Sequence, residues 1–211
     1  MESIIPIFDG HNDTLAALDG TEGDRVRLFF EGRGQGHFDF PRAVQGGLAG
    51  GLFAIMASAP PGSEENTPDW GMTRTEVGYA QKLRSAIPQA FSAGFNDRVV
   101  ELLREIEAAS GGKLKVVTDA DTLEQCIAGG VFAVVLHFEG AEPISEDLSN
   151  LEVYYRQGLR SMGIVWSRVN AFASGVPFAF PQHPDTGPGL TPAGRELVRA
   201  CNELGILVDL S

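Results

Sequence analysis

Short apolar runs alternate with helix-like segments along most of the 211-residue chain, and this alternation constrains the fold more than any other feature. Strands are predicted over residues 4–8, 52–57, 114–117, 131–138, 161–166 and 206–210, and helices over 72–90, 96–109, 119–128, 147–157 and 191–204. Such alternation is typical of βα units around a parallel sheet. An eight-stranded (β/α) barrel typically needs about 250 residues. The sequence therefore predicts an α/β fold, an incomplete barrel formed as one domain over residues 1–211.

The composition is that of an acidic globular protein. Acidic residues number 28 against 16 basic ones, which gives a formal net charge of −12. Such a surface repels nucleic acid and anionic membranes. The chain opens with no basic segment followed by an apolar run, and no run reaches a membrane-spanning length. We expect a cytoplasmic protein with no nucleic-acid partner, in which Cys126 and Cys201 are buried, reduced thiols.

A His-x-Asp triplet closes the first predicted strand. His11 and Asp13 follow the apolar residues 4–8, and residues two apart on a strand point to the same face. An imidazole nitrogen and a carboxylate oxygen directed at one point suit a cation such as zinc. The alternative is a turn in which Asp13 caps the next helix and His11 is solvated.

A glutamate follows the strongest strand signal of the chain. Glu139 comes directly after the buried run 131–138. In a parallel barrel, polar residues at the carboxyl ends of the strands converge on one face. Each oxygen of a carboxylate in this place can bind one of two metal ions. The alternative is a glutamate that caps a helix or forms a salt bridge.

Together these motifs resemble the membrane dipeptidase (renal dipeptidase) family of zinc metallopeptidases. The similar segments are His11-Asn12-Asp13, Phe138-Glu139-Gly140, residues 189–198, residues 207–211 and, for a bacterial branch of the family, residues 158–168. The resemblance implies a (β/α) barrel that hydrolyses dipeptides with a hydroxide held between two zinc ions. By the same resemblance, His11 and Asp13 bind one zinc ion, and Glu139 bridges both and positions the hydroxide.

Two departures from the family pattern stand out. Trp166 occupies the position of a histidine in the better-known branch, so its indole N–H, or Arg168 or His183 on the loop that follows, is a candidate partner for the substrate in the pocket. The alternatives are a pocket-wall tryptophan and a solvated loop histidine. The chain also ends at Ser211, before the family's later metal ligands. We expect the N-terminal part of the family domain, holding one zinc ion or none.

Other histidines and other functions remain open at this point. His37 and His137 are poor substitutes for the later ligands, and His137 is expected to pack in the strand wall. Alternative functions are a non-catalytic fragment or pseudoenzyme, a module that binds a metal or small ligand, and another binuclear amidohydrolase, which usually carries His-x-His after strand one. The expected partners are a dipeptide substrate and a second copy of the chain that covers the edge strand 206–210.

Overall fold

A computed structural model describes residues 5–66 and 71–210. Its helices are α1 (Thr14–Asp19), α2 (Arg25–Glu31), α3 (Phe40–Gln45), α4 (Gln89–Ala109), α5 (Ala120–Gly129), α6 (Leu151–Arg156) and α7 (Pro192–Leu204). Its strands are β1 (Ile7–Asn12), β2 (Leu48–Ile55), β3 (Met72–Arg74), β4 (Tyr79–Gln81), β5 (Leu114–Val116), β6 (Phe132–Glu139), β7 (Leu159–Gly163), β8 (Ala179–Phe180) and β9 (Leu207–Asp209). Ile4 of the first predicted strand and Ser211 of the last motif lie outside the described residues.

All six predicted strands are present among the described residues, and they belong to one sheet. The order of its strands is β1-β2-β6-β7-β9, with β5 paired to β6. The pairs β1–β2, β2–β6 and β5–β6 are parallel, as βα units require. The first strand begins and ends later than expected, so that the residues of the His-x-Asp motif up to Asn12 are part of β1 itself.

By its internal contacts the chain divides into two units. The first comprises residues 1–56, 96–138 and 154–161. Its core includes an aromatic cluster in which neighbouring ring centroids lie 5.1–6.2 Å apart, formed by Phe29, Phe30, Phe38, Phe40, Phe53 and Phe132. These rings join α2 and α3 to strands β2 and β6. Aromatic side chains of this size contribute a large share of the apolar area buried in a core.

Two glycines inside β2 allow the neighbouring strands of the first unit to approach it closely. A Cβ atom on Gly50 would lie 2.1 Å from the carbonyl oxygen of Ala133. A Cβ atom on Gly51 would lie 2.8 Å from the Cβ atom of Asp9. Glycine inside a strand often marks such a close approach of another backbone. The predicted strand begins only at residue 52, because glycine is usually depleted in strands.

The second unit comprises residues 57–95, 139–153 and 162–211. It contains the antiparallel sheet of β3, β4 and β8, and helix α7. The hydroxyl of Thr191 accepts a hydrogen bond from the backbone N–H of Gly194 at 3.0 Å and begins α7, and Gly205 ends it in the left-handed conformation. A Cβ atom on Gly194 would lie 2.0 Å from the carbonyl oxygen of Phe172, so the helix packs directly on that backbone.

The helix predicted over 72–90 is wrong. Residues 72–74 and 79–81 form the hairpin of β3 and β4, and α4 begins only at Gln89. Pro88 lies inside the predicted helix, where its ring and missing N–H disfavour a continuous helix. A Cβ atom on Gly78 would lie 2.0 Å from the carbonyl oxygen of Phe180, which shows how closely the chain of β8 approaches this turn.

The cysteines, the helices and the last strand bear on three further expectations from the sequence. Cys126 and Cys201 are buried free thiols, and burial raises the pKa of Cys201 to about 11. Within residues 5–66 and 71–210, none of the helices combines the length and apolar character needed to cross a membrane. Leu207 and Leu210 at the last strand are largely exposed, and self-association through this edge stays a prediction.

Candidate metal centre

The end of β1 is shaped by its own polar side chains. The amide of Asn12 donates to the Asp9 carboxylate at 3.0 Å, and the backbone N–H of His11 donates to the same carboxylate at 3.3 Å. The side-chain oxygen of Asn12 accepts from the backbone N–H of Thr14 at 3.3 Å. These bonds fix the turn that carries His11 and Asp13, across an irregularity in the pairing of β1 with β2. The sequence therefore supplies both the donor residues and the local bonds that hold their backbone.

His11 and Asp13 are brought together as the motif predicts. Nε2 of His11 lies 3.6 Å from Oδ1 of Asp13, and their side chains are 35% and 60% exposed. Asp13 occupies the N-cap position of α1, but its carboxylate makes no capping hydrogen bond. The helix cap therefore does not account for this carboxylate, which is accessible to a cation together with the imidazole.

His137 lies in the strand wall, as expected, but its ring reaches the first motif. The side chain is buried on β6, and its Nδ1 lies 2.8 Å from the hydroxyl oxygen of Ser161 on β7. The rings of His137 and His11 pack edge to face, with centroids 5.4 Å apart and planes 72° apart. The sequence pattern of β6 predicts the place of His137 in the strand wall, but not this contact, which joins two strands distant in sequence.

Glu139 is the last residue of β6 and is half-buried. It follows His137 by two positions, so both side chains emerge on the same face of that strand. The sequence signal that could have linked them is this spacing, which repeats the His-x-Asp spacing of β1. Strand alternation thus places two potential donors at the end of β6.

A second carboxyl group beyond β6 was not singled out from the sequence. Burial raises the pKa of Glu142 from an ordinary 4.5 to about 7, and the negative charge of Glu139 acts in the same direction. Its own backbone N–H, the charge of Arg168 and a bond with Asn170 partly oppose the rise. Glu142 also lines a cavity of about 410 Å³ with walls that include Ile144 and Phe172. No sequence motif predicts the burial of Glu142, because this burial arises from tertiary packing.

Trp166 and Arg168, the two candidate pocket residues, belong to one cluster in the second unit. The guanidinium groups of Arg84 and Arg168 lie 5.5 Å and 5.8 Å from the Trp166 ring. Arg168 is 1% exposed, donates to the carbonyl oxygen of Ala57 at 2.7 Å and contacts the Glu65 carboxylate at 3.5 Å. The indole N–H of Trp166 is buried without an acceptor among the described residues. Their role toward a substrate stays a prediction.

The remaining two histidines lie apart from buried donor clusters. His37 and His183 are exposed, and Nδ1 of His183 accepts a hydrogen bond from the backbone N–H of Asp185 at 3.1 Å. This arrangement is that of a solvated loop histidine, the interpretation that the sequence favoured for His183.

Comparison with known proteins agrees with these features. The profile of the family described as Membrane dipeptidase (Peptidase family M19) matches residues 1–211. The chain belongs to this family. The crystal structure of a metallo peptidase from Rhodobacter sphaeroides, liganded with a phosphinate mimic of the dipeptide L-Ala-D-Ala, matches with a TM-score of 0.91 and 40% identity. The match covers 99% of this chain and 59% of that one. The fold is accordingly an incomplete barrel of the type found in this family.

Relatives in sequence extend over the same part of the chain. The "Uncharacterized protein in PQQ-III 3'region" of Acinetobacter calcoaceticus is 33% identical over 216 residues, which cover 98% of this chain and 63% of that protein. The Dipeptidase tcpJ of Claviceps purpurea (strain 20.1) is 23% identical over 205 residues, which cover 96% of this chain and 43% of that protein. The chain therefore spans less than two thirds of the length of these relatives.

Proposed function

We propose that this protein is a zinc-dependent dipeptidase in which His11, Asp13 and Glu139 bind the metal. The observation that carries the proposal is the 3.6 Å separation between Nε2 of His11 and Oδ1 of Asp13. Two ligands of one tetrahedral zinc ion, each about 2.0–2.2 Å from it, lie about 3.3–3.6 Å apart. A nitrogen and a carboxylate oxygen also form a donor set that zinc accepts, so the residues fit the ion.

Glu139 joins this set through its place on β6. It shares a strand face with His137, whose ring packs against His11. Membership of the membrane dipeptidase family supports the same choice. We assign Glu139 as the ligand that positions the attacking water, because a carboxylate can bind a metal with one oxygen and accept a proton from water with the other.

The chemistry then divides between the metal and the side chains. A bound zinc ion polarises a peptide carbonyl and lowers the pKa of water to near neutrality. Metal binding would use His11 in its neutral form, with a lone pair on a ring nitrogen, and Asp13 and Glu139 as carboxylates. The indole N–H of Trp166 is proposed to donate to a substrate oxygen, with the buried Arg168 adding positive charge behind the ring. A dipeptide is the proposed substrate because a relative binds a dipeptide mimic.

Metal binding and hydrolysis test the proposal together. Metal-free protein is titrated with zinc by calorimetry, and release of alanine from L-Ala-D-Ala is followed by chromatography. We expect close to one zinc ion per chain, and hydrolysis that chelator abolishes and zinc restores. His11→Asn should weaken zinc binding at least about 10-fold, whereas the control His183→Asn should not.

The alternatives give different results in the same assays. Zinc binding without cleavage of any dipeptide would refute the dipeptidase and leave a metal-binding module or a non-catalytic fragment. Cleavage of a cyclic amide but of no dipeptide would favour another amidohydrolase. Equal zinc affinity in the wild type and His11→Asn would refute the ligand assignment.

A further inference from the structure

The second unit contains a cavity that the proposed function leaves unused. Its volume of about 410 Å³ lies within the range of about 300–1,000 Å³ that is usual for small-molecule sites. The apolar part of its wall includes Ile87, Ile144 and Phe172. Glu142 and Glu146 also line the cavity, and among the described residues of its wall none is a lysine, arginine or histidine. The wall is therefore apolar with two acidic groups and no basic one.

Glu142 supplies a buried acceptor to this wall. The residue is 7% exposed, and its Oε1 atom is buried without a hydrogen-bond partner among the residues that the structure describes. Gly140 leaves the space for the carboxyl group, since a Cβ atom there would lie 2.0 Å from Oε2 of Glu142. A buried polar atom without a partner costs free energy, and apolar walls offer water few partners. A ligand that donates a hydrogen bond to Oε1 would remove this cost.

The donors that act on Glu142 or share its cavity have other partners. The positive charge of Arg168 lowers the pKa of Glu142 in part, but its guanidinium group contacts the Glu65 carboxylate at 3.5 Å. On the cavity wall, the amide nitrogen of Gln89 donates to the carbonyl oxygen of Pro143 at 2.8 Å. The cavity therefore offers a ligand negative charge and a hydrogen-bond acceptor, which a cation with N–H donors matches.

We propose that this cavity binds a small organic cation, an ammonium group carried on an apolar body about the size of a benzyl group. The ammonium donates a charge-assisted hydrogen bond to Oε1 of Glu142. The apolar body packs against Ile144 and Phe172, which removes apolar surface from water. Glu146 adds negative charge at the same cavity, but its side chain is exposed and its field is screened by solvent and salt.

Nuclear magnetic resonance can test the proposal on the unmodified protein, with a chelator present so that the metal centre does not contribute. Isoleucine methyl groups are labelled with ¹³C, and the protein is titrated at pH 8 with benzylammonium chloride and, separately, with neutral benzyl alcohol. We expect saturable shifts at Ile87 and Ile144, with benzyl alcohol at least about 10-fold weaker because it lacks the charge. Ile127 lines a different cavity, in the first unit, and its methyl groups should show no preference for the cation.

Two variants that each remove one carboxylate identify the group that the cation contacts. Glu142→Gln should weaken benzylammonium binding at least about 10-fold, whereas Glu146→Gln should weaken it less than about 2-fold, because an exposed charge is screened. Equal losses in the two variants would indicate attraction by net charge and would contradict the proposal. In the unmodified protein, equal affinity for the two compounds would overturn the recognition of charge, and the absence of shifts at Ile87 and Ile144 would overturn the site itself.

Discussion

Replacement of Glu142 by glutamine should remove a pH dependence from the stability of the fold. The carboxyl group has a pKa of about 7 in the folded protein and an ordinary value of 4.5 when unfolded. Between these values the folded state binds more protons than the unfolded state, so its stability falls as the pH rises through this window. Below about pH 4.5 both states are protonated, and above about pH 7 both are ionised.

The size of the effect follows from the same two values. Each unit of pKa corresponds to about 1.4 kcal/mol, so a rise from 4.5 to about 7 amounts to about 3 kcal/mol. The wild type should therefore lose about 3 kcal/mol of unfolding free energy relative to Glu142→Gln between pH 4.5 and pH 8. The difference between two variants cancels the contribution of every group that both share.

Urea denaturation in the presence of a chelator measures this difference. Unfolding is followed by circular dichroism at pH 4.5, 5.5, 6.5 and 8 for the wild type and for Glu142→Gln. Glu146→Gln removes an exposed carboxylate from the same segment and controls for the loss of one negative charge. A free-energy difference that stays constant across these pH values would refute the argument that burial displaces the Glu142 equilibrium.

Three further substitutions test the packing and the caps, each by urea denaturation. Gly51→Ala should destabilise the fold by about 1–3 kcal/mol, because its Cβ atom would lie 2.8 Å from that of Asp9; unchanged stability would show that the strands can separate at no cost. Thr191→Ala should cost about 1 kcal/mol through loss of the cap of α7, and the serine variant should not. Arg168→Met should cost about 1–3 kcal/mol, because the buried carbonyl oxygen of Ala57 loses its donor and Glu65 keeps only the Arg84 guanidinium, 3.6 Å from its Oε2; adding Glu65→Gln should recover part of the loss, and no recovery would contradict the ion pair.

Local signals predicted most of the βα pattern. The caps of α7 could be predicted because Thr191-Pro192 and Gly205 act through bonds and backbone angles within a few residues. The strand at 131–138 could be predicted because a continuous, largely apolar run of eight residues is typical of a strand that is buried on both faces. At α5 the local pattern leaves two candidate caps, Thr118 and Asp119, and the structure uses Asp119, whose carboxylate accepts from the backbone N–H of Thr122 at 2.7 Å.

The errors lie where distant segments decide the structure. The hairpin of β3 and β4 replaces a predicted helix because β8, about 100 residues later, pairs with β4. Gly50 and Gly51 belong to a strand because neighbouring strands approach too closely for a side chain, which no local pattern reveals. Tertiary pairing here overrides intrinsic propensity.

The candidate site divides in the same way. His11 and Asp13 were recognisable because two donors stood two residues apart at a strand end. The place of His137 in the strand wall was predictable from the apolar run of β6. Its contacts with His11 and Ser161 were not, because they join three separate strands. The burial of Glu142 likewise depends on tertiary packing around it, so sequence spacing alone did not indicate it.

Crystals of the protein soaked with zinc test the central claim most directly. Anomalous diffraction on both sides of the zinc absorption edge locates the ion independently of any assumed ligand. The account predicts one strong peak within about 2.0–2.2 Å of a nitrogen of His11 and of carboxylate oxygens of Asp13 and Glu139. A zinc ion bound elsewhere, or no peak at this strand end at saturating zinc, would contradict it.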